Sequence, residues 1–513
     1  MMENKIYTGT KVVSKRKLIT GIILILTLYA LCIAVFSPAP RGTDQYWNLG
    51  NIERVIHMDG IWKTNNIFPS GLPEDLNELP RPWVQNRPVT YAGTIFAFIT
   101  NHAHAGWMVM NFLLIIFIVW SFLKIINNKN EFHWFLLPVL ALLIFNPQIF
   151  YLGMQALPEV FNALLAILLL LVILKLRPVF LKAFIAAVLS GLLYYQRESF
   201  LLVFFLVPAF FYVFYISKER WISIISYVIV VAVLYSVKPV LFPSHSIEQI
   251  SALDQLTEVR PGNSNMINYL HPDPAEKSSG EIIKILGIKT LAALKLQFIP
   301  SGANALFFYT VNLLLISLII LLRKYRSLSL IKKQTLFFIA GMVLIQIATI
   351  IVFENQNRFS SVLVPLLLIC LFWVFEMYWS EHRFFKKGLY TLLIICIGIA
   401  GLIGYQNRKE ADSDKRFVED FKQVNEITGN STVMVPYYGG RAIMLSYAVM
   451  PQYCYYFPGK YNWENIKEIS EKLNTSWFLY PSHISFAKES ESLIIETHSI
   501  GENFILSRLR LAE

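Results

Sequence analysis

Arginines and carboxylates recur at a few defined places in this sequence, and the chemistry they offer is holding a phosphate and moving a proton. Asp44 stands in Arg41-Gly42-Thr43-Asp44-Gln45-Tyr46-Trp47, and Arg87 in Asn86-Arg87-Pro88-Val89-Thr90-Tyr91, upstream of His102 and His104. Glu159 closes Tyr151-Leu152-Gly153-Met154-Gln155-Ala156-Leu157-Pro158-Glu159. Arg197 sits beside a carboxylate in Gln196-Arg197-Glu198-Ser199, and Glu354 precedes Arg358 in Glu354-Asn355-Gln356-Asn357-Arg358-Phe359. A guanidinium presents a planar fork that matches phosphate oxygens, and a carboxylate in reach of a hydroxyl can take its proton. Each group also has a plainer reading. Asp44 favours a helix N-terminus, Arg87 meets lipid headgroups, Glu159 starts a helix, and the two arginine–acid turns are local salt bridges. His102 and His104 resemble half of a metal site, and two histidines do not close one, so no metal is expected.

The elements that must carry these groups are membrane spans. Hydrophobic residues make up 55% of the chain and charged ones only 15%, and a spanning helix needs roughly 17–25 predominantly apolar residues. Eleven runs meet or approach that length: Leu18–Phe36, Gly106–Leu123, His133–Phe150, Pro158–Leu174, Val179–Tyr195, Phe200–Ser217, Trp221–Val240, Ala303–Leu322, Thr335–Phe353, Val362–Trp379 and Leu389–Tyr405. Leu18–Phe36 is followed by Ser37-Pro38-Ala39-Pro40-Arg41, a poor cleavage site, and reads as a retained first span rather than a signal peptide. Lys11, Lys15, Arg16 and Lys17 precede that span, and every second loop after it is basic. By the positive-inside rule these loops are cytoplasmic. The odd number of spans then places the C-terminus outside. The expected location is the plasma or inner membrane, with two long outer loops, 37–105 and 241–302. Asp44, with Leu49, Ile52, Val55 and Ile56 after it at helical spacing, begins an amphipathic helix in the first of these loops. The membrane part is expected to be 1–405. From 406 to 513 the pattern is that of a small α/β domain. Phe417, Phe421, Val424 and Ile427 have helical spacing, Arg441–Tyr447 and Trp463–Leu473 read as helices, and five short strands lie at Thr432–Pro436, Tyr453–Phe457, Trp477–Tyr480, Leu493–Glu496 and Phe504–Leu509.

The formal charge of +11 does not mark a nucleic-acid binder, because the excess Lys and Arg sits in short loops between apolar runs and the stretch after Tyr405 is slightly acidic. The four cysteines give no disulfide framework, since Cys32, Cys370 and Cys396 lie in apolar runs. Charges are nearly missing from the middles of the spans, where a proton-coupled transporter carries them, and gather at the outer ends of helices. That places a site where a lipid headgroup lies.

In their order, these motifs resemble those of the polyprenyl-phosphate-sugar-dependent glycosyltransferases of the GT-C class, in the branch of the protein O-mannosyltransferases and aminoarabinose transferases (glycosyltransferase family 39-like). The resemblance rests on an Asp soon after span one (Asp44), a basic residue and Pro before Tyr91, an acid after a Gly-containing turn (Glu159), Gly191-Leu192-Leu193-Tyr194-Tyr195-Gln196-Arg197-Glu198 ending span five, and Glu354-x-x-x-Arg358-Phe359 with Pro365. It covers most of the membrane part. Two positions depart from it: the usual Asp-Glu pair is Asp44-Gln45, and the usual Lys is Arg87 with a single Pro. The resemblance implies an inverting transfer of a sugar from a polyprenyl-phosphate carrier to a glycan, lipid or protein acceptor, with no cofactor required. Asp44 and Glu159 become the catalytic candidates, Asp44 as general base. Arg87, Arg358 and Arg197 become candidates for the donor phosphate, and Glu53, Glu354 and Tyr91 for orienting acceptor or sugar. The competing readings are a surface-polysaccharide polymerase or ligase with a lipid-diphosphate donor, a transporter of lipid-linked sugar, and a non-catalytic scaffold.

Overall fold

The computed structural model describes residues 12–54, 84–85, 88–126, 132–133, 135–241, 244–245, 279–298, 305–353, 357–378, 383–429, 431, 433–436, 454–457, 470, 475–482 and 493–510. It is a helical bundle followed by one mixed sheet. The helices are α1 (Lys15–Phe36), α2 (Gly42–Arg54), α3 (Pro88–Thr100), α4 (Ala103–Ile126), α5 (Leu136–Phe145), α6 (Pro147–Gly153), α7 (Glu159–Lys175), α8 (Val179–Gln196), α9 (Val203–Phe214) and α10 (Ser217–Leu241). They continue with α11 (Ser279–Phe298), α12 (Ala305–Arg323), α13 (Leu330–Phe353), α14 (Leu363–Tyr378) and α15 (Arg383–Thr428). Wherever they are described, the cores of all eleven expected runs are helical. By length and composition, seven helices among the described residues can cross a membrane, or eight if the bent pair α5–α6 is one span. The chain is a multi-pass membrane protein. Its helices share one apolar core and turn large apolar side chains outward, among them Ile23, Leu24, Phe205, Ile216 and Leu402, as a surface facing hydrocarbon must.

Three spans differ from the simple runs. His133–Phe150 is broken at Asn146, with α5 and α6 meeting at 53°. The cause is local: Pro147 supplies no N–H and keeps the residue before it out of the helical region, and Asn146 (φ −55°, ψ 129°) caps α6 by accepting from the Gln148 amide. Phe200–Ser217 begins as a 3-10 helix, Glu198–Leu202, before α9. The last run does not stop at Tyr405. α15, 46 residues long in all, continues to Thr428, so residues 417–427 are the far end of that helix rather than a separate one, and residue 405 lies inside it.

The five C-terminal strands form at the expected places: β5 (Val433–Pro436), β6 (Cys454–Phe457), β7 (Trp477–Pro481), β8 (Ile494–Ile500) and β9 (Phe504–Leu509), after the two-residue strands β1 (Val12–Val13), β2 (Val84–Gln85), β3 (Phe132–His133) and β4 (Ser244–His245). The sheet order is β6-β5-β7-β9-β8. β5 runs parallel to β6 and β7, and β7, β9 and β8 form antiparallel ladders. Phe417 and Phe421 of α15 pack edge-on against Phe504 of β9, so the sheet docks on the same helix that leaves the bundle. Of the two helices expected inside this region, Arg441–Tyr447 lies outside the described residues, as does Trp463–Leu473 except for Ser470. The pair β2–β4 joins the two long loops, with Val84 opposite His245.

Candidate functional site

The site is organised around an irregular turn, residues 153–158, between α6 and α7. Buried non-helical backbone is tolerated only where its polar groups are satisfied by the protein. Here side chains from three other helices, or their ends, do this. Asn111 of α4, fully buried, donates to the Gly153 carbonyl at 3.1 Å and the Gln155 carbonyl at 2.8 Å. Ser37, at the end of α1, donates to the Met154 carbonyl at 2.7 Å. From α2, Asn48 donates to the Ala156 carbonyl at 2.8 Å, and Gln45 accepts from the Ala156 amide at 3.1 Å. The turn therefore joins the end of α1, the helix that carries Asp44, and the residue before α7. Gln45, the departure from the Asp-Glu pair, is the acceptor that ties α2 to this turn and is buried.

Gly153 has a steric reason as well. A Cβ there would sit 1.9 Å from the Tyr29 hydroxyl oxygen, with the next ring atom at 3.2 Å, and Tyr29 is fully buried. We expect Gly153→Ala to destabilise the protein by about 1–3 kcal/mol through overpacking, and Tyr29→Phe to return most of that loss. Thermal unfolding of the two single variants and the double variant in detergent reads this directly. A double variant no more stable than Gly153→Ala would refute the contact.

Glu159, the first residue of α7, is 1% exposed, and its Oε1 accepts from Arg197 Nη2 at 2.5 Å. A carboxylate at this place gains from the α7 N-terminus, but in an apolar interior it also needs a cation. Arg197 supplies it from the residue after α8. The neighbouring Gln196, also buried, accepts from the Val89 amide at 3.1 Å, one of the amides that a helix start leaves without an intrahelical partner. Residues 196–197 thus tie α7 to the start of α3. Glu159 and Arg197 line a small, partly open recess with Asn162 of α7, Gln346 and Thr349 of α13, and Ser361. Ser361 belongs to the 3-10 helix Asn357–Val362, which also contains Arg358. Gln148 of α6 holds that 3-10 helix by donating to Ser360 at 2.6 Å.

The candidate residues fall out as follows. Glu159 and Arg197 are in contact. Asp44 lies in the first turn of α2 and Arg358 in the 3-10 helix, both described by backbone alone. Glu53, near the end of α2, and Tyr91, in the first turn of α3, are half-buried. Arg87 and Glu354 lie outside the described residues. His104 is buried with its Nε2 3.1 Å from the Ser37 carbonyl oxygen, while exposed His102 accepts from the Ala105 amide at the start of α4. The two histidines are thus used separately. Among the described residues, no group of three or more His, Cys, Asp or Glu is placed to hold a metal. Asn111, Asn162, Gln346, Thr349 and Ser361 carry no charge, and a search for charges passes over them. A usable signal existed: polar residues one turn apart in apolar helices, as Asn162 is from Glu159 and Thr349 from Gln346.

The fold is that of solved GT-C glycosyltransferases. Among solved structures, ArnT from Cupriavidus metallidurans bound to undecaprenyl phosphate is similar with a TM-score of 0.52 and 8% identity, over 96% of this chain and 98% of that one. The archaeal oligosaccharyltransferase AglB from Archaeoglobus fulgidus, in complex with an inhibitory peptide and a dolichol-phosphate, is similar with a TM-score of 0.50 and 11% identity, over 91% of this chain and 70% of that one. No family model matches the chain, and no curated protein matches it. At these identities the likeness is one of fold.

Proposed function

We propose that the protein is an inverting glycosyltransferase that moves a sugar from a polyprenyl-phosphate carrier to an acceptor hydroxyl on the extracytoplasmic face of the plasma or inner membrane. The observation that carries this reading is the recess lined by buried Glu159 and its partly buried partner Arg197, linked through residues 153–158 to the Asp44 helix, in a fold shared with proteins seen holding undecaprenyl phosphate and dolichol-phosphate. In the reaction the acceptor oxygen bonds to the anomeric carbon while the bond from that carbon to the phosphate oxygen breaks. The departing polyprenyl phosphate keeps the bonding electron pair, and Asp44 takes the acceptor proton. Arg87 and Arg358 stabilise the charge that develops on the phosphate, as fixed donors do at a leaving group. Arg197 faces the same charge, and Glu159 acts by holding Arg197 in place. Glu53, Tyr91 and Glu354 orient sugar or acceptor, and the region 406–513 serves acceptor recognition.

Purified protein, given polyprenyl-phosphate sugars labelled in the sugar and an envelope fraction as acceptor, is expected to release unlabelled polyprenyl phosphate as label enters the acceptor. Movement of intact lipid-linked sugar across vesicles without its cleavage would replace this reading by a transporter. The orientation has its own test. In a cysteine-free background of intact cells, a membrane-impermeant thiol reagent is expected to label Ser485→Cys and spare Ser14→Cys. The reverse pattern would put the site on the cytoplasmic face.

A further inference from the structure

The extended part of α15 reaches back to Arg41 and Gly42, at the start of the Asp44 helix. Arg41 is held by three groups: its Nε lies 2.8 Å from Glu410 Oε2, one terminal nitrogen donates to Asn407 Oδ1 and the other to the Tyr151 hydroxyl, both at 3.4 Å, and the guanidinium stands 5.4 Å above the Tyr151 ring. The next residue, Gly42, opens α2 at φ +68° and donates its amide to Asp414 Oδ2 at 2.7 Å. The end of α1 is gripped by the same helix, since Asn407 donates to the Phe36 carbonyl at 2.7 Å and Arg408 to the Val35 carbonyl at 3.1 Å. Gly404 lets the two helices close up, for a Cβ there would meet Phe36 at 2.6 Å. Asn407 is fully buried. Glu410 is not, and an exposed ion pair alone is worth little. The geometry is worth more than the energy. Asn407, Glu410 and Asp414 follow one stripe of α15, at spacings of three and four residues, and fix the chain at three successive points, Phe36, Arg41 and Gly42. The Gly42 amide is one of the donors that α2 cannot satisfy itself, so α15 caps the catalytic helix from another part of the chain.

We infer that Asn407, Glu410 and Asp414 are positioning residues for the reaction: they set the pose of α2, and with it Asp44. This rests on the reading of Asp44 as base. The variant Glu410→Ala/Asp414→Ala removes the grip with the residue of highest helix propensity, so α15 itself is kept. Two quantities are measured. Hydrogen exchange of the amides of residues 42–54 is expected to accelerate about tenfold or more as α2 loosens. With labelled polyprenyl-phosphate sugar as substrate, kcat is expected to fall about 10- to 100-fold at unchanged donor KM, the scale set by misplacing a reacting group by about 1 Å. Exchanging the charges, Arg41→Glu with Glu410→Arg, is expected to recover part of both losses relative to Glu410→Arg alone. Unchanged exchange in α2 overturns the inference whatever the activity does. Faster exchange with unchanged kcat overturns it equally, because α2 would then be free to move without consequence for the chemistry. An active Asp44→Asn would instead unseat the base assignment, and the exchange experiment, which needs no turnover, tells the two failures apart.

Discussion

Asp44→Asn is expected to lower turnover by about 10²–10⁴, the usual contribution of general-base catalysis, while donor binding survives. The substitution is clean for a structural reason. Asn serves as well as Asp near the start of a helix, and neighbours of residue 44 hold α2. Gln45 and Asn48 bind Ala156, and the Gly42 amide is bound by Asp414. Tyr46, Leu49 and Ile52 bury the inner face of α2, with Ile52 packed close to Gly93 of α3. With these contacts kept, α2 is expected to stay in place when the carboxylate is replaced. Asp44→Glu should recover little, because α2 cannot shift to accommodate the extra methylene. Steady-state kinetics on purified variants of normal stability decide the point. Near-normal turnover by Asp44→Asn would reduce Asp44 to a helix-start residue and send the search for the base to Glu53 or Glu159.

The second large effect concerns buried Glu159 and its partner Arg197. Arg197→Met keeps the length of the side chain and removes its charge, leaving the Glu159 carboxylate, 1% exposed, without the cation that lies 2.5 Å from it. Breaking a buried ion pair from one side typically costs about 3–5 kcal/mol, because the remaining charge stays desolvated. Glu159→Gln in the same protein removes that charge too. The double variant Arg197→Met/Glu159→Gln should accordingly be more stable than Arg197→Met alone, and the difference in a double-mutant cycle measures the coupling. Stability and function then part. The double variant, although folded, should still turn over poorly if Arg197 serves the donor phosphate. Unfolding in detergent and turnover on the same four proteins separate the roles. Arg197→Met as stable as the parent would remove the buried pair as an element of the fold, and full activity in the double variant would remove Arg197 from the reaction.

By itself the sequence determined the cores of the apolar helices, the five C-terminal strands and where the charged motifs stand, but not α11, which forms inside the stretch read as the long outer loop 241–302. Hydropathy over the length of a span and alternation over a strand are local properties, so runs such as Val179–Tyr195 and strands such as Phe504–Leu509 reappear with nearly the same bounds. Glu159 and Arg197 stood out for a local reason as well, as charges beside long apolar runs. That they meet was decided only by the tertiary structure, since 38 positions separate them. The same holds for the neutral side chains that build the site. Asn111 reaches the Gly153 carbonyl across 42 positions, Gln45 the Ala156 amide across 111, and Asp414 the Gly42 amide across 372. An uncharged Asn or Gln in an apolar run changes hydropathy little and charge not at all. Its worth comes from the backbone group it satisfies, and that partner exists only after the helices have packed. For the same reason α15 runs past Tyr405: composition marks where its apolar part ends, while contacts with Arg41, Gly42 and Phe504 occupy the polar turns beyond it.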